Sequence, residues 1–143
     1  MPTNLNDPYN LQRFVEAQNP VFEQVCSELR AGRKSGHWMW FVFPQIKGLG
    51  NSETARKFAI ASRAEAEAYL EHPSLGARLR ECSRLVTLVH GRTAVEIFGP
   101  TDELKLRSSL TLFSAVTSDN KVFVDALQKY FAGEPDDRTL LNL

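Results

Sequence analysis

Three stretches of the chain carry side chains able to do chemistry. The first, His37-Trp38-Met39-Trp40-Phe41-Val42-Phe43-Pro44-Gln45, holds both tryptophans of the chain and two of its nine phenylalanines. Aromatic faces trimmed by a few polar groups, here His37, Gln45 and Lys47, are how small-molecule pockets are built: rings supply contact area and the polar groups fix orientation. Core packing alone accounts for most such clusters, yet each buried indole N–H then needs an acceptor. His37 by itself says little, because one histidine beside apolar residues is more often structural than catalytic.

The second stretch is Lys47-Gly48-Leu49-Gly50-Asn51-Ser52. Glycines let a backbone approach a ligand closely, and a helix starting at Asn51 or Ser52 would aim free N–H groups at an anion. The match to known phosphate loops is partial. Glu53 stands where the dinucleotide fingerprint needs a third glycine, no Gly-Lys-Ser/Thr ending is present, and the Glu53 carboxylate opposes an anion. An ordinary glycine loop is the competing reading.

The third stretch runs from Thr101 to Phe113. On a helix, Leu106, Leu110 and Phe113 form an apolar line, while Asp102, Lys105 and Ser108 or Ser109 form a second, polar line. A solvated face is the plain reading. In the functional reading, Asp102 orients Lys105, which offers a cation beside two hydroxyls to an anionic ligand. Sequence places no general base beside either serine, so a serine nucleophile is not indicated. His37, His72 and His90 lie far apart, and Cys26 and Cys82 form no Cys-x-x-Cys pair, so neither metal nor cofactor is expected.

These residues need a scaffold, and 143 residues suffice for one domain spanning residues 1–143. With 43% hydrophobic and 24% charged residues the composition is globular, so a packed core follows. Lys+Arg and Asp+Glu balance at 17 each. No global field would draw in polyphosphate backbones or anionic membranes, and nucleic acid is disfavoured as a partner. Two cysteines among apolar residues behave as small hydrophobes, for which a reducing cytoplasm is the simplest setting. Residues 1–8 have neither the charge nor the apolar run of a secretory signal, and no apolar run reaches the roughly 20 residues that span a bilayer.

The periodicities predict an all-α fold of about seven helices, with at most minor extended structure. Asp7-Pro8 has the form of a cap and first position for helix one, which carries Arg13 and Gln18 beside Phe14 and Val15. Asn19-Pro20 opens a second helix that reaches about Ala31, ahead of Gly32. A third runs from Asn51 or Ser52 through Ile60, and Ser62 opens a fourth that stops before Pro73. The stripe Leu75, Leu79, Cys82, Val86 and Val89 marks a long helix closed by Gly91. After a short segment from Thr93 to Phe98, helices follow from Thr101 or Asp102 to about Val116 and from Asp119-Asn120 to Gly133. Only the aromatic stretch has the look of a strand, and a lone strand would leave its backbone unpaired.

Four blocks, Arg13 to Gln18, His37 to Gln45, Gly48-Leu49-Gly50 with Ser52, and Lys105 through Phe113, resemble those of a bacterial family known as domain of unknown function 1810. The resemblance spans most of the chain, and Trp-x-Trp-Phe-x-Phe-Pro-Gln is its distinctive block. It implies a compact multihelical domain and brings neither an activity nor catalytic residues. Some members carry the label calpastatin; a calpain inhibitor of that name is a disordered repeat protein, whereas this composition is globular.

The expectation is a domain with one pocket, walled by Trp38 to Phe43 and edged by His37, Gln45, Lys47, Gly48, Gly50, Ser52 and the Asp102, Lys105, Ser108, Ser109 stripe. Arg13 and Gln18 are further candidates. Such a pocket would bind, with or without processing it, a small anionic metabolite with a flat ring, such as a nucleotide derivative. The rival is a protein–protein interaction module without chemistry. A flat exposed patch at Trp38 and Trp40 would favour a protein partner, and a concave, polar-edged site a ligand.

Overall fold

The computed structural model describes residues 6–143; the first five residues, part of the segment read as lacking a secretory signal, lie outside it. Among the described residues ten helices follow in chain order. They are α1 (Gln12–Gln18), α2 (Phe22–Ala31), α3 (Met39–Val42), α4 (Glu53–Lys57), α5 (Arg63–Glu71), α6 (Leu75–Leu88), α7 (Ala94–Phe98), α8 (Pro100–Ala115), α9 (Lys121–Phe131) and α10 (Asp137–Leu141). Extended structure among the described residues amounts to one parallel bridge between Ile46 and Ile60. It is closed by Ile60 N–H to Gln45 O at 2.8 Å and Lys47 N–H to Ile60 O at 2.9 Å. No helix among the described residues is long and apolar enough to cross a membrane.

Local chemistry starts and stops these elements. Ser52 and Ser62 accept the N–H groups of Ala55 and Glu65, Thr93 and Glu96 form a reciprocal capping box, and Pro100 occupies the first turn of α8. Helix α1 begins later than Asp7-Pro8 predicts. The Asp7 carboxylate accepts N–H from Leu11 at 2.7 Å and Gln12 at 3.0 Å, and Asn10 turns left-handed at φ 53°, so a capped turn precedes the helix. Helix α4 stops at Lys57, before the Ile60 of the sequence reading, because Ile60 is drawn into the bridge with Ile46.

Helix α8 lies at the centre and packs on α9, α7, α10, α5 and α3, while α6 joins α9, α2 and α5. A run of rings passes through the core. Phe41 meets Phe58 at 5.3 Å, Phe58 meets Phe14 at 5.6 Å, Phe14 meets Tyr69 edge-on at 5.1 Å, and Tyr69 meets Phe113 at 5.3 Å. Pairs of this kind add about 0.5–1.5 kcal/mol each beyond area burial. Cys26 and Cys82 are buried free thiols on α2 and α6.

Candidate functional site

The aromatic stretch is a helical turn, and that decides which rings belong to the core. Trp38, Met39, Val42 and Phe43 are buried, while Trp40 and Phe41 are partly exposed. This spacing of three and four is helical; a strand would have put Trp38, Trp40 and Val42 on one face. Trp38 packs on Phe43 at 6.4 Å and donates its indole N–H to Glu28 Oε1 at 2.9 Å. The indole of Trp40 has no protein acceptor among the described residues and borders two adjoining hollows.

The first hollow, of about 450 Å³, lies between α8, α10 and the Gly50 to Ala55 segment. Trp40, Gln45, Gly50, Ser52, Lys105 and Ser108 line it, all of them sequence candidates. Thr101, Leu104, Arg107, Asp136 and Arg138 complete its α8 and α10 sides. The second hollow, of about 500 Å³, is lined by Trp40, Gln45, Lys47, Gly48 and Gly50 together with Arg56, Phe58 and Asn142. Five residues, Trp40, Gln45, Gly50, Asn51 and Ala55, belong to both.

The glycine loop separates the hollows because its backbone lies close to its neighbours. A Cβ at Gly50 would stand 2.7 Å from Ala55 Cβ in the first turn of α4, and Gly48 holds φ +98° beside Asn142. Neither position accepts a larger residue without moving the loop. Helix α10 forms the opposite rim. It is latched to α8 through Asp136, whose Oδ2 accepts Thr139 N–H at 3.0 Å, Thr139 Oγ1 at 2.5 Å and Ser108 Oγ at 3.2 Å. Asp136 N–H in turn donates to Thr111 Oγ1 at 2.9 Å.

Cations outnumber carboxylates among the described side chains that line the hollows. Lys105, Arg107 and Arg138 line the first, where Asp136, committed to that latch, is the one lining carboxylate. Lys47 and Arg56 line the second, which has no lining carboxylate among the described residues. The cations differ in how firmly they are held. Lys105 Nζ sits 4.7 Å over the Trp40 ring and 3.4 Å from Asp102 Oδ1; Asp102 Oδ2 is 2.8 Å from Lys34 Nζ. Asp102 therefore stands between two ammonium groups, one of which rests on the cleft wall. Arg107 donates to the carbonyls of Glu134 and Pro135, and Arg56 to that of Asn51. Arg138 and Lys47 are exposed and have no protein partner for their cationic groups among the described residues, and the Gln45 amide is likewise unpartnered.

The other sequence candidates lie elsewhere. Arg13 spends its guanidinium on the carbonyls of Tyr9, Asn10, Lys57 and Ala59 and on Glu65 at 2.9 Å, tying α1 to the start of α5. Gln18 is buried, donating to Phe41 O at 2.7 Å and Tyr69 Oη at 3.0 Å. Burial raises the Tyr69 phenol well above its ordinary range, so it stays neutral beside that amide. His37 is exposed and lines neither hollow, and Trp38 is in the core. Asp102 lines neither hollow and reaches the first through Lys105. Ser109 is buried, and its hydroxyl has no partner among the described residues.

Residues that sequence reasoning missed sit on α10 and beside the polar stripe. Pro135-Asp136 is a helix-opening signal, with Asp136 as cap, but the helix it opens has only five residues. Arg107 falls between the two lines drawn on α8. The hydroxyl of Ser108 is shared between Leu104 O at 3.0 Å and Asp136 Oδ2 at 3.2 Å. Among the described residues the lining side chains of the two hollows offer ammonium, guanidinium, hydroxyl and amide donors, groups able to form charge-assisted hydrogen bonds.

Other hollows on the surface have a different character. One of about 570 Å³ between α1 and α5 is edged by Asp7, Glu67 and Glu71. Another between α6 and α9 contains Arg80 and Arg84, already paired with Asp119 and Glu81.

The family model described as "Protein of unknown function (DUF1810)" matches residues 8–143. No curated protein matches the chain. It is similar to the conserved hypothetical protein Rv1873 from Mycobacterium tuberculosis, known from a crystal structure, at 57% identity and a TM-score of 0.95. That match covers 96% of this chain and 98% of the other. By sequence over nearly its whole length, and with a fold to match, the chain belongs to the DUF1810 family.

Proposed function

We propose that this protein binds a small anionic, nucleotide-like metabolite in the cleft bordered by Trp40, Gln45, Lys105 and Arg138. The observation that carries the reading is the convergence of unpartnered polar groups on a concave aromatic wall. The side-chain amide of Gln45 and the guanidinium of Arg138, both lining the cleft, have no protein partner among the described residues. An indole edge and a free amide suit a flat heterocycle, and the guanidinium suits a phosphate or carboxylate through paired hydrogen bonds. The concavity and polar rim favour a ligand over a flat protein–protein contact at Trp40. Binding, without a bond-making step, is all that these groups call for.

Thermal unfolding in the presence of nucleotides, sugar phosphates and dicarboxylates tests it. A ligand at about 100 times its Kd adds about 2.7 kcal/mol to the native state. For a domain of this size that corresponds to a rise in Tm of about 5–10 °C. Arg138→Ala, at an exposed and unpartnered side chain, is expected to keep the unliganded Tm and to weaken the ligand about tenfold or more. No rise with any compound, or a rise undiminished in Arg138→Ala and Gln45→Ala, would overturn the proposal.

A further inference from the structure

The two hollows share a wall and differ in the rest of their lining, and each has its own uncommitted cation: Arg138 in the first, Lys47 in the second. Between them stand the Trp40 ring and the Gln45 amide, common to both. Helix α10 runs along both hollows, with Arg138 at its start beside the first and Asn142 at its end beside the second. The two are joined by Asn142 Nδ2 donating to Arg138 O at 2.8 Å. The chain carries no net charge, yet five cations line this groove against the single carboxylate of Asp136.

A ligand with one anionic group would satisfy one lobe and leave the other cation in water. We infer that the two hollows are lobes of one groove selecting a ligand with two separate anionic groups flanking a hydrogen-bonding, ring-bearing centre, the chemistry of a nucleoside 3′,5′-bisphosphate. This rests on the reading of the cleft as an anion site. It adds that Lys47 and Arg138 take different anionic groups of one molecule, while Trp40 and Gln45 take its centre. The same unit occurs free or as one step of a single-stranded polynucleotide.

Isothermal titration calorimetry with adenosine 3′,5′-bisphosphate, adenosine 5′-monophosphate and adenosine 3′-monophosphate tests it. The bisphosphate is expected to bind at least about tenfold tighter than either monophosphate, the yield of one added charge-assisted contact. Lys47→Ala alters an exposed side chain without a partner and is expected to unfold at the wild-type temperature. It should bring the bisphosphate to monophosphate affinity while leaving one of the two monophosphates unaffected.

Equal affinity of bisphosphate and monophosphates, or bisphosphate binding unchanged in Lys47→Ala, overturns the two-lobe inference and leaves the single-anion cleft standing. Absence of binding by all three compounds overturns the inference together with the reading it rests on. An adenylate tetranucleotide binding tighter than the bisphosphate points to a strand as the source, and weaker binding to a free metabolite; either agrees with two anion lobes.

Discussion

Glu28→Ala is expected to lower stability by about 3–5 kcal/mol, because it removes the acceptor of the buried Trp38 indole N–H and of two part-buried backbone N–H groups at once. Glu28 Oε1 accepts Ser35 N–H at 2.8 Å, Gly36 N–H at 3.0 Å and Trp38 Nε1–H at 2.9 Å, and Oε2 accepts Gln24 Nε2 at 2.7 Å. This carboxylate shapes the link between α2 and the aromatic turn, so it fixes the register from which Trp40 reaches the cleft. Urea unfolding should show the loss as a lower midpoint at unchanged slope. A loss under 1 kcal/mol would mean that the loop holds its shape without this acceptor.

The same residue gives a pH dependence with a defined sign. Burial raises the Glu28 pKa, but the donated hydrogen bonds, first from Gly36 and Ser35, outweigh it and hold the group at about 2 against an ordinary 4.5. A carboxylate depressed in the folded state contributes stability above its unfolded pKa, lost as pH falls through the folded one. The contribution is complete above about pH 5 and declines toward pH 2, by up to about 3 kcal/mol. Glu28→Gln should therefore flatten the difference in stability between pH 5 and pH 2 relative to wild type.

Gly76→Ala is expected to cost about 3 kcal/mol, although alanine is the better helix former by about 1 kcal/mol. A Cβ at Gly76 would stand 2.0 Å from the carbonyl oxygen of Leu70 and 2.9 Å from its carbon. Those atoms are backbone at the end of α5 and cannot rotate away, so α6 must back off from α5 and open contacts around buried Leu75 and Leu79. Thermal unfolding would read this as a fall in Tm of about 6–12 °C. A variant at least as stable as wild type would show that helix propensity, not the approach of α5, governs this site.

The long helices were legible because their apolar stripes are long: Leu75, Leu79, Cys82 and Val86 on α6 are buried as the spacing predicts, and on α9 Phe123, Ala126 and Leu127 are buried while Val122, Tyr130 and Phe131 of the same apolar face are half-buried against the core. Short elements gave too little periodicity. Helix α3 has four residues and α10 five, and they carry Trp40 and Arg138 to the cleft. The sequence could name Trp38 and Trp40 as a pair but could not assign one to the core and the other to a cleft, since that depends on a helical turn whose outer face meets α8. Arg13 and Gln18 look alike, as sequence, to ligand-binding groups, because the carbonyls that absorb them come from residues as distant as Ala59 and Phe41. Lys47, Gly50 and Lys105 fall together only once the glycine loop is closed against α4.

The central claim is that an anionic ligand occupies the cleft at Trp40, and the two indoles provide an internal control. In a 1H–15N correlation spectrum the chain has two indole N–H signals, one from Trp38, bound to Glu28 in the core, and one from Trp40 at the cleft. Titration with adenosine 5′-monophosphate is expected to move the Trp40 signal along a saturable curve and leave the Trp38 signal in place. A spectrum in which neither signal moves, or in which Trp38 moves and Trp40 does not, would contradict the account.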